Sequence, residues 1–205
     1  MGTSGTCGVR LATEDDLGQV CAIVNHFIRR TVSNFRTEPQ AVDEWRASWT
    51  RLHGRFPWLV ASDLERVVGV AYAGPWNERA AYQWTVETTV YVESATHGRG
   101  IGHALYRELL GRLDRQGFRS ALAVIGLPNE ASVRLHERHG FARVGQLADA
   151  GFKLGAWHDV GLWQRRLRDG GGPPRAPMPV RTGHLDDVDA GPATAARAPG
   201  SADAG

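Results

Sequence analysis

Gly98, Gly100 and Gly102 occupy alternate positions between a β-branched run, Thr85 to Val92, and an amphipathic stretch that begins at Ile101. Glycines allow a backbone to come close to a diphosphate, and a helix start offers that group unpaired N–H donors and the positive end of its dipole. Arg99 adds a guanidinium suited to a charge-assisted contact. A tight strand-to-helix turn needs the same glycines, so the spacing alone leaves both readings open. Two nucleotide motifs do not match. A P-loop closes on Gly-Lys-Ser/Thr, whereas Gly102 is followed by His103; a dinucleotide fingerprint is G-x-G-x-x-G, whereas this run is G-x-G-x-G.

Glu87 lies in the middle of TVETTVYV, where strand alternation puts Val86, Thr88 and Val90 on one face and Glu87, Thr89 and Tyr91 on the other. A carboxylate there is either a solvated residue on an edge strand or a group held in place to accept a proton. Asn129 is an N-cap type of residue at the start of a helical stretch, and His136 follows on that stretch with an imidazole suited to proton relay. His136 also reads as a helix-surface histidine, a description that His139 fits better.

The elements that must carry these residues alternate along the chain. Val9 to Ala12 reads as a short strand; Thr13 with Asp16 opens a helix whose Leu17, Val20, Cys21, Val24, Phe27 and Ile28 form one apolar face. Pro39 to Leu52 predicts a second helix, with Trp45 and Trp49 at i, i+4 spacing. Trp58 to Ser62, Val67 to Ala73 and Tyr82 to Val92 predict strands. Gly100 to Gln116 is a helix that steps through Ile101, Leu105, Leu109 and Leu113 and ends at Gly117 as a left-handed cap. Ala121 to Ile125 predicts a strand buried on both faces. Asn129 opens a helix that Gly140 closes, with Phe141 packing back, and strands follow at Phe141 to Gln146 and Val160 to Leu167. The sum is a single α/β domain with a mixed central sheet flanked by helices.

Composition bounds the rest. The 205 residues, 42% of them hydrophobic, suffice for one well-cored domain. A formal net charge of +2, from intermixed basic and acidic residues, describes a solvated surface and no nucleic-acid groove. Arg165, Arg166 and Arg168 cluster without interleaved aromatics. Cys7 and Cys21 suggest neither a disulfide framework nor a metal site, and no metal is expected. No apolar run approaches the ~20 residues that span a bilayer, so no membrane association is expected and the location read is cytoplasmic. Residues 1–7 read as a flexible leader, 8–168 as the folded domain, and 169–205, rich in Gly, Pro, Ala and Asp, as a disordered tail.

HGRGIGHALY after VYV resembles the pyrophosphate loop of the GNAT acetyltransferases, written Q/R-x-x-G-x-G/A, with His97 at the usual Gln or Arg position. Asn129 with an aromatic position at residue 136, before Gly140-Phe141, resembles a second element of that superfamily, with His136 at the usual tyrosine position. VNHFI, NFRTEPQ, RFPWLVA, VAYAGPW, AVIGLPN, SVRLHE and GAWHDVGLWQ, in that order, resemble the phosphinothricin N-acetyltransferases over about residues 8 to 168.

The resemblance implies the GNAT (acyl-CoA N-acyltransferase) fold, acetyl-CoA as co-substrate, and transfer of its acetyl group to the free α-amino group of phosphinothricin or a close glutamate or methionine analogue, which detoxifies a herbicide or antibiotic. It implies Glu87 as general base, and His136 as proton relay or donor to the departing thiolate. Val90, Tyr91, Val92, Gly98, Arg99, Gly100, Ile101, Gly102, His103 and Asn129 would hold the cofactor; Phe35, Arg36, Tyr72, Arg79 and Tyr82 would wall the acceptor pocket. A homodimer is implied as well. In PWNER, Asn77 and Glu78 stand where family members more often carry Lys-Ala, which favours an alternative acceptor such as methionine sulfone, methionine sulfoximine or another amino acid amine. A non-catalytic CoA-binding module is a further alternative, against which the presence of both Glu87 and His136 argues.

Overall fold

The computed structural model describes residues 7–170 and 172–182. The elements are β1 (Gly8–Leu11), α1 (Leu17–Arg30), α2 (Val42–Leu52), β2 (Trp58–Asp63), β3 (Arg66–Pro75), β4 (Thr85–Val92), α3 (Ile101–Gln116), β5 (Ser120–Gly126), α4 (Glu130–Arg138), β6 (Ala142–Lys153) and β7 (Ala156–Arg166), with 3-10 turns at Glu14–Asp16, Ala80–Tyr82 and Ser94–Thr96. The strands form one seven-stranded sheet in the order β1-β2-β3-β4-β5-β7-β6. Every neighbouring pair is antiparallel except β4 and β5. The expected mixed sheet is present.

Period-2 alternation divides the sheet's side chains between two helical layers. Leu59 and Ala61 of β2 pack with Ile101, Leu105, Leu109 and Leu113 of α3, the stripe seen in the sequence. Trp58 and Val60 face the other way, onto Val20, Val24 and Ile28 of α1 and Trp45 of α2. At the start of α1, Asp16 accepts from the Thr13 N–H at 2.7 Å and pairs with Arg10 at 2.6 Å, so the expected capping box is made, opening on a 3-10 turn. Gly117 closes α3 at φ 93°, as expected.

Four sequence expectations change. The strand expected from Tyr82 begins at Thr85, because Ala80–Tyr82 coils into a 3-10 turn. β5 is not buried on both faces, for Val124 is 41% exposed. β6 and β7 extend into a long hairpin, 12 and 11 residues, through a glycine-broken and largely exposed stretch that carries no strand periodicity. The expected tail lies partly outside the described residues, but 172–182 run extended over the end of α3. Met178 exchanges hydrogen bonds with Gln116, Trp84 Nε1 donates to Arg175 O at 2.7 Å, and Val180 N donates to Gly54 O at 3.0 Å. Prolines pre-set φ there, which lowers the entropy lost on docking. No helix among the described residues is long and apolar enough to cross a membrane.

Candidate active site

β4 and β5 stay paired over only three residues, Thr85↔Ser120, Val86↔Ala121 and Glu87↔Leu122, and then diverge. The parting opens a cleft of about 740 Å³ in the middle of the sheet. Glu93 N donates to Val68 O, so odd-numbered residues of β4 turn their N–H and C=O toward β3. The even-numbered residues therefore turn theirs toward β5, and past the last pair, Glu87↔Leu122, those of Val90 and Val92 turn toward the opening, where β5 no longer meets them. His97 Nε2 donates to Val92 O at 2.8 Å, which fits that parity.

The glycine turn closes one end of the cleft. Gly98 (φ 79°) and Gly100 (φ 76°) are left-handed, a conformation that disfavours side-chain-bearing residues, and a Cβ on either would meet nothing within 4 Å. The first amides of α3 have no acceptor one turn back and point outward from the turn. Gly98, Gly100, Ile101, Gly102 and His103 line the cleft, together with Val90, Tyr91, Val92 and Asn129. Arg99 does not: its guanidinium pairs with Asp63 at 3.0 Å on the β2–β3 hairpin, outside the cleft wall. Asn129 Oδ1 accepts from Ser132 N at 3.2 Å, as a cap should, while its Nδ2 donates to Ser33 Oγ at 3.1 Å.

Glu87 faces the cleft from β4, half-buried, and no hydrogen bond or ion pair engages its carboxylate among the described residues. Burial alone pushes its carboxyl above the ordinary carboxylate range. Its charge in turn helps to hold the nearby Tyr72, Tyr91 and Tyr106 hydroxyls protonated, after burial as the larger cause, with Tyr91 pushed up to about 12.

His136 lines the cleft but is only 3% exposed. Its Nδ1 lies 2.7 Å from Ser132 O, which can only accept, so Nδ1 carries the proton. Nε2 is then free to accept from the Tyr106 hydroxyl at 2.6 Å, and Tyr106 is also 2.9 Å from Thr88 Oγ1. Burial pulls the His136 imidazole below its ordinary value, partly offset by the Ser132 bond, so it is neutral at pH 7. His139, expected at the surface, is 8% exposed and tilted against the His103 ring at 4.6 Å. Burial and then the neighbouring His103 bring it down to about 4.

Of the residues expected to wall an acceptor pocket, Phe35 and Tyr72 line the cleft. Arg36 is exposed and outside the wall, though its charge acts on Tyr72. Arg79 and Tyr82 lie exposed on the β3–β4 connection and do not line the cleft. The structure adds Ser33, Asn34, Thr88 and Val124 to the walls, and Tyr106 behind His136. The sequence hid Tyr106 inside the apolar stripe of α3, and it offered no signal for Ser33 and Asn34, because their partners are 58 and 57 residues away.

The sequence profile of the Acetyltransferase (GNAT) family matches residues 21–141. The phosphinothricin N-acetyltransferase of Streptomyces viridochromogenes is 52% identical over 173 residues, 84% of this chain and 92% of that protein. The L-methionine sulfoximine/L-methionine sulfone acetyltransferase of Pseudomonas aeruginosa is 34% identical over 79% of this chain and 95% of its own length. A GNAT superfamily phosphinothricin acetyltransferase from Sinorhizobium meliloti, solved in complex with AcCoA, superposes with a TM-score of 0.80 at 33% identity, covering 89% of this chain and 97% of that one.

Proposed function

We propose an acceptor and a proton path for this chain, which belongs to the acetyltransferase (GNAT) family and, within it, to the phosphinothricin N-acetyltransferases. It is an acetyl-CoA-dependent N-acetyltransferase. Its acceptor is the free α-amino group of phosphinothricin or a close glutamate or methionine analogue, and acetylation there removes the toxicity of a herbicide or antibiotic in the cytoplasm.

The residues present fit the co-substrate. A left-handed glycine turn with space above Gly98 and Gly100, the free amides at the start of α3 and the Val90 and Val92 amides on the open edge of β4 bring backbone donors to one cleft. Gly98 to His103 would hold the diphosphate, and Val90, Val92 and Asn129 the arm. Bound there, acetyl-CoA supplies the acetyl group as a thioester.

The observation that carries the reading is Glu87: a carboxylate with no engaged partner among the described residues, raised in pKa by burial, beside the open edge of β4. Glu87 accepts the proton of the acceptor ammonium, freeing the nitrogen lone pair, and its raised pKa brings it closer to the working pH of a base. The even-numbered β4 amides supply donors where negative charge develops. His136, neutral and coupled to Tyr106, holds the second proton position. Phe35 and Tyr72 wall the acceptor, and Arg36, whose charge reaches Tyr72, serves its anionic groups.

Methionine sulfone or sulfoximine is the second acceptor class, favoured by Glu78, which puts a negative charge on the connection that carries Arg79. A homodimer is supported by Leu147, Phe152, Leu154 and Trp157, each at least 55% exposed along the β6–β7 hairpin.

One assay tests the reading: thiol release from acetyl-CoA with phosphinothricin, methionine sulfoximine, methionine sulfone and ordinary amino acids as acceptors. Release with phosphinothricin is expected. Release with the sulfone alone decides for the second class, and no release with any amine overturns both.

A further inference from the structure

The segment Val32–Phe35 walls the acceptor end of the cleft without belonging to a helix or strand. Loop backbone ordinarily goes to water. Here three separate elements hold it. From β4, Tyr91 Oη donates to Ser33 O at 3.2 Å and accepts from Asn34 Nδ2 at 3.1 Å. From the cap of α4, Asn129 Nδ2 donates to Ser33 Oγ.

The third is Lys153, the last residue of β6, whose ammonium donates to Asn34 O. Lys153 is 6% exposed, and among the described residues no carboxylate lies within ion-pair distance of it. A lysine is seldom buried without a counter-charge, because the ammonium forfeits its hydration. Its own carbonyl accepts from His158 Nε2 at 2.9 Å, which fixes the hairpin end from which it reaches. Two residues earlier, Gly151 lies flat against the Phe35 ring, and a Cβ there would come within 2.8 Å of ring carbons.

We propose that Lys153 is a positioning residue, pinning Asn34 and Phe35 to the β6–β7 hairpin and thereby setting affinity for the acceptor amine. The inference rests on Phe35 as an acceptor wall, as read above. A hydrogen bond from a charged donor adds to the Tyr91 and Asn129 bonds at Ser33 and the Asn34 side chain, and it is the one that ties the Asn34 carbonyl to the β6–β7 hairpin. The glycine turn and α3 lie at the other end of the cleft and make no contact with the ammonium.

Lys153→Met keeps the length and apolar stem and removes the donor. It is expected to raise the acceptor KM about tenfold, with kcat and the acetyl-CoA KM within about twofold. Gly151→Ala pushes on the same ring without touching the ammonium, and is expected to raise the acceptor KM in the same direction; it replaces the first variant should that one not fold. In the free protein, Lys153→Met should also speed amide hydrogen exchange over residues 32–36 and leave Gly98 to His103 unchanged. An unchanged acceptor KM in a folded variant, equal rises in both KM values, or unchanged exchange over 32–36 overturns the proposal. The exchange readout needs no acceptor. A wild-type protein that acetylates none of the amines therefore counts against the function, while the clamp still stands or falls on exchange.

Discussion

The two ends of the cleft are built differently. The glycine-turn end, proposed as the cofactor end, comes almost entirely from residues 87–138, in chain order: the open edge of β4, the glycine turn, the start of α3 and one face of α4. The opposite end, proposed as the acceptor end, is gathered from Val32–Phe35, Tyr72 on β3, Ala123–Gly126 on β5 and Val160 on β7, with the β6–β7 hairpin behind it. A diphosphate is held by backbone amides, which any sequence with the right glycines supplies. An acceptor is told apart by side chains, and those are free to vary once the loops that bear them are anchored elsewhere. The two relatives named above differ in acceptor by name, phosphinothricin in one and methionine sulfoximine or sulfone in the other.

The sharpest way to break this division is at Glu87, where the two ends meet. Glu87→Gln is expected to lower kcat by roughly 10²–10⁴, the usual worth of a general base, with acetyl-CoA affinity within about twofold by calorimetry. The acid limb of the wild-type pH–rate profile should lie above the ordinary carboxylate range and vanish in the variant. Full activity in Glu87→Gln would remove it from the base role.

The cofactor end should also be the more acid-sensitive. His139 packs there at about 4 in the folded state against about 6.5 unfolded, so the folded protein binds fewer protons. Its contribution is fully present above pH 6.5 and is lost as pH falls toward 4. After allowance for solvent screening this is on the order of 1–2 kcal/mol, read as a falling Tm that His139→Phe should flatten.

The smallest effects separate backbone from side chain at the turn. Gly100→Ala places a Cβ at φ 76° and should weaken acetyl-CoA binding about tenfold with the acceptor KM unchanged. Arg99→Ala should weaken it less than about threefold, because that guanidinium is engaged with Asp63. A larger loss with Arg99→Ala than with Gly100→Ala would mean that charge, and not amide geometry, holds the diphosphate.

Legibility follows the same division. The turn, the Glu87 face of β4, the α3 stripe and the left-handed cap at Gly117 are readable because each depends on neighbours within a few residues. The pairing of His136 with Tyr106 was not, since the two lie 30 residues apart and only the packing of α4 on α3 joins them. His139 reads as a surface residue in the sequence, yet the His103 and Tyr106 rings cover it. Residues 172–182 read as unstructured by composition, and they dock because Gln116, Gly54 and Trp84 present backbone and side-chain partners to them.

By itself, then, the sequence determined the order of elements, the glycine turn and the placing of a carboxylate on one face of β4, all consequences of local dihedral preference and periodicity. Tertiary structure alone decided that β4 and β5 part after Glu87, that Arg99 turns to Asp63, and that Lys153 reaches Asn34 across 119 residues of chain. Those outcomes depend on where whole strands end and which loops they bring together. No local pattern encodes that, because the free energy that selects it comes from burying the entire sheet between its two helical layers.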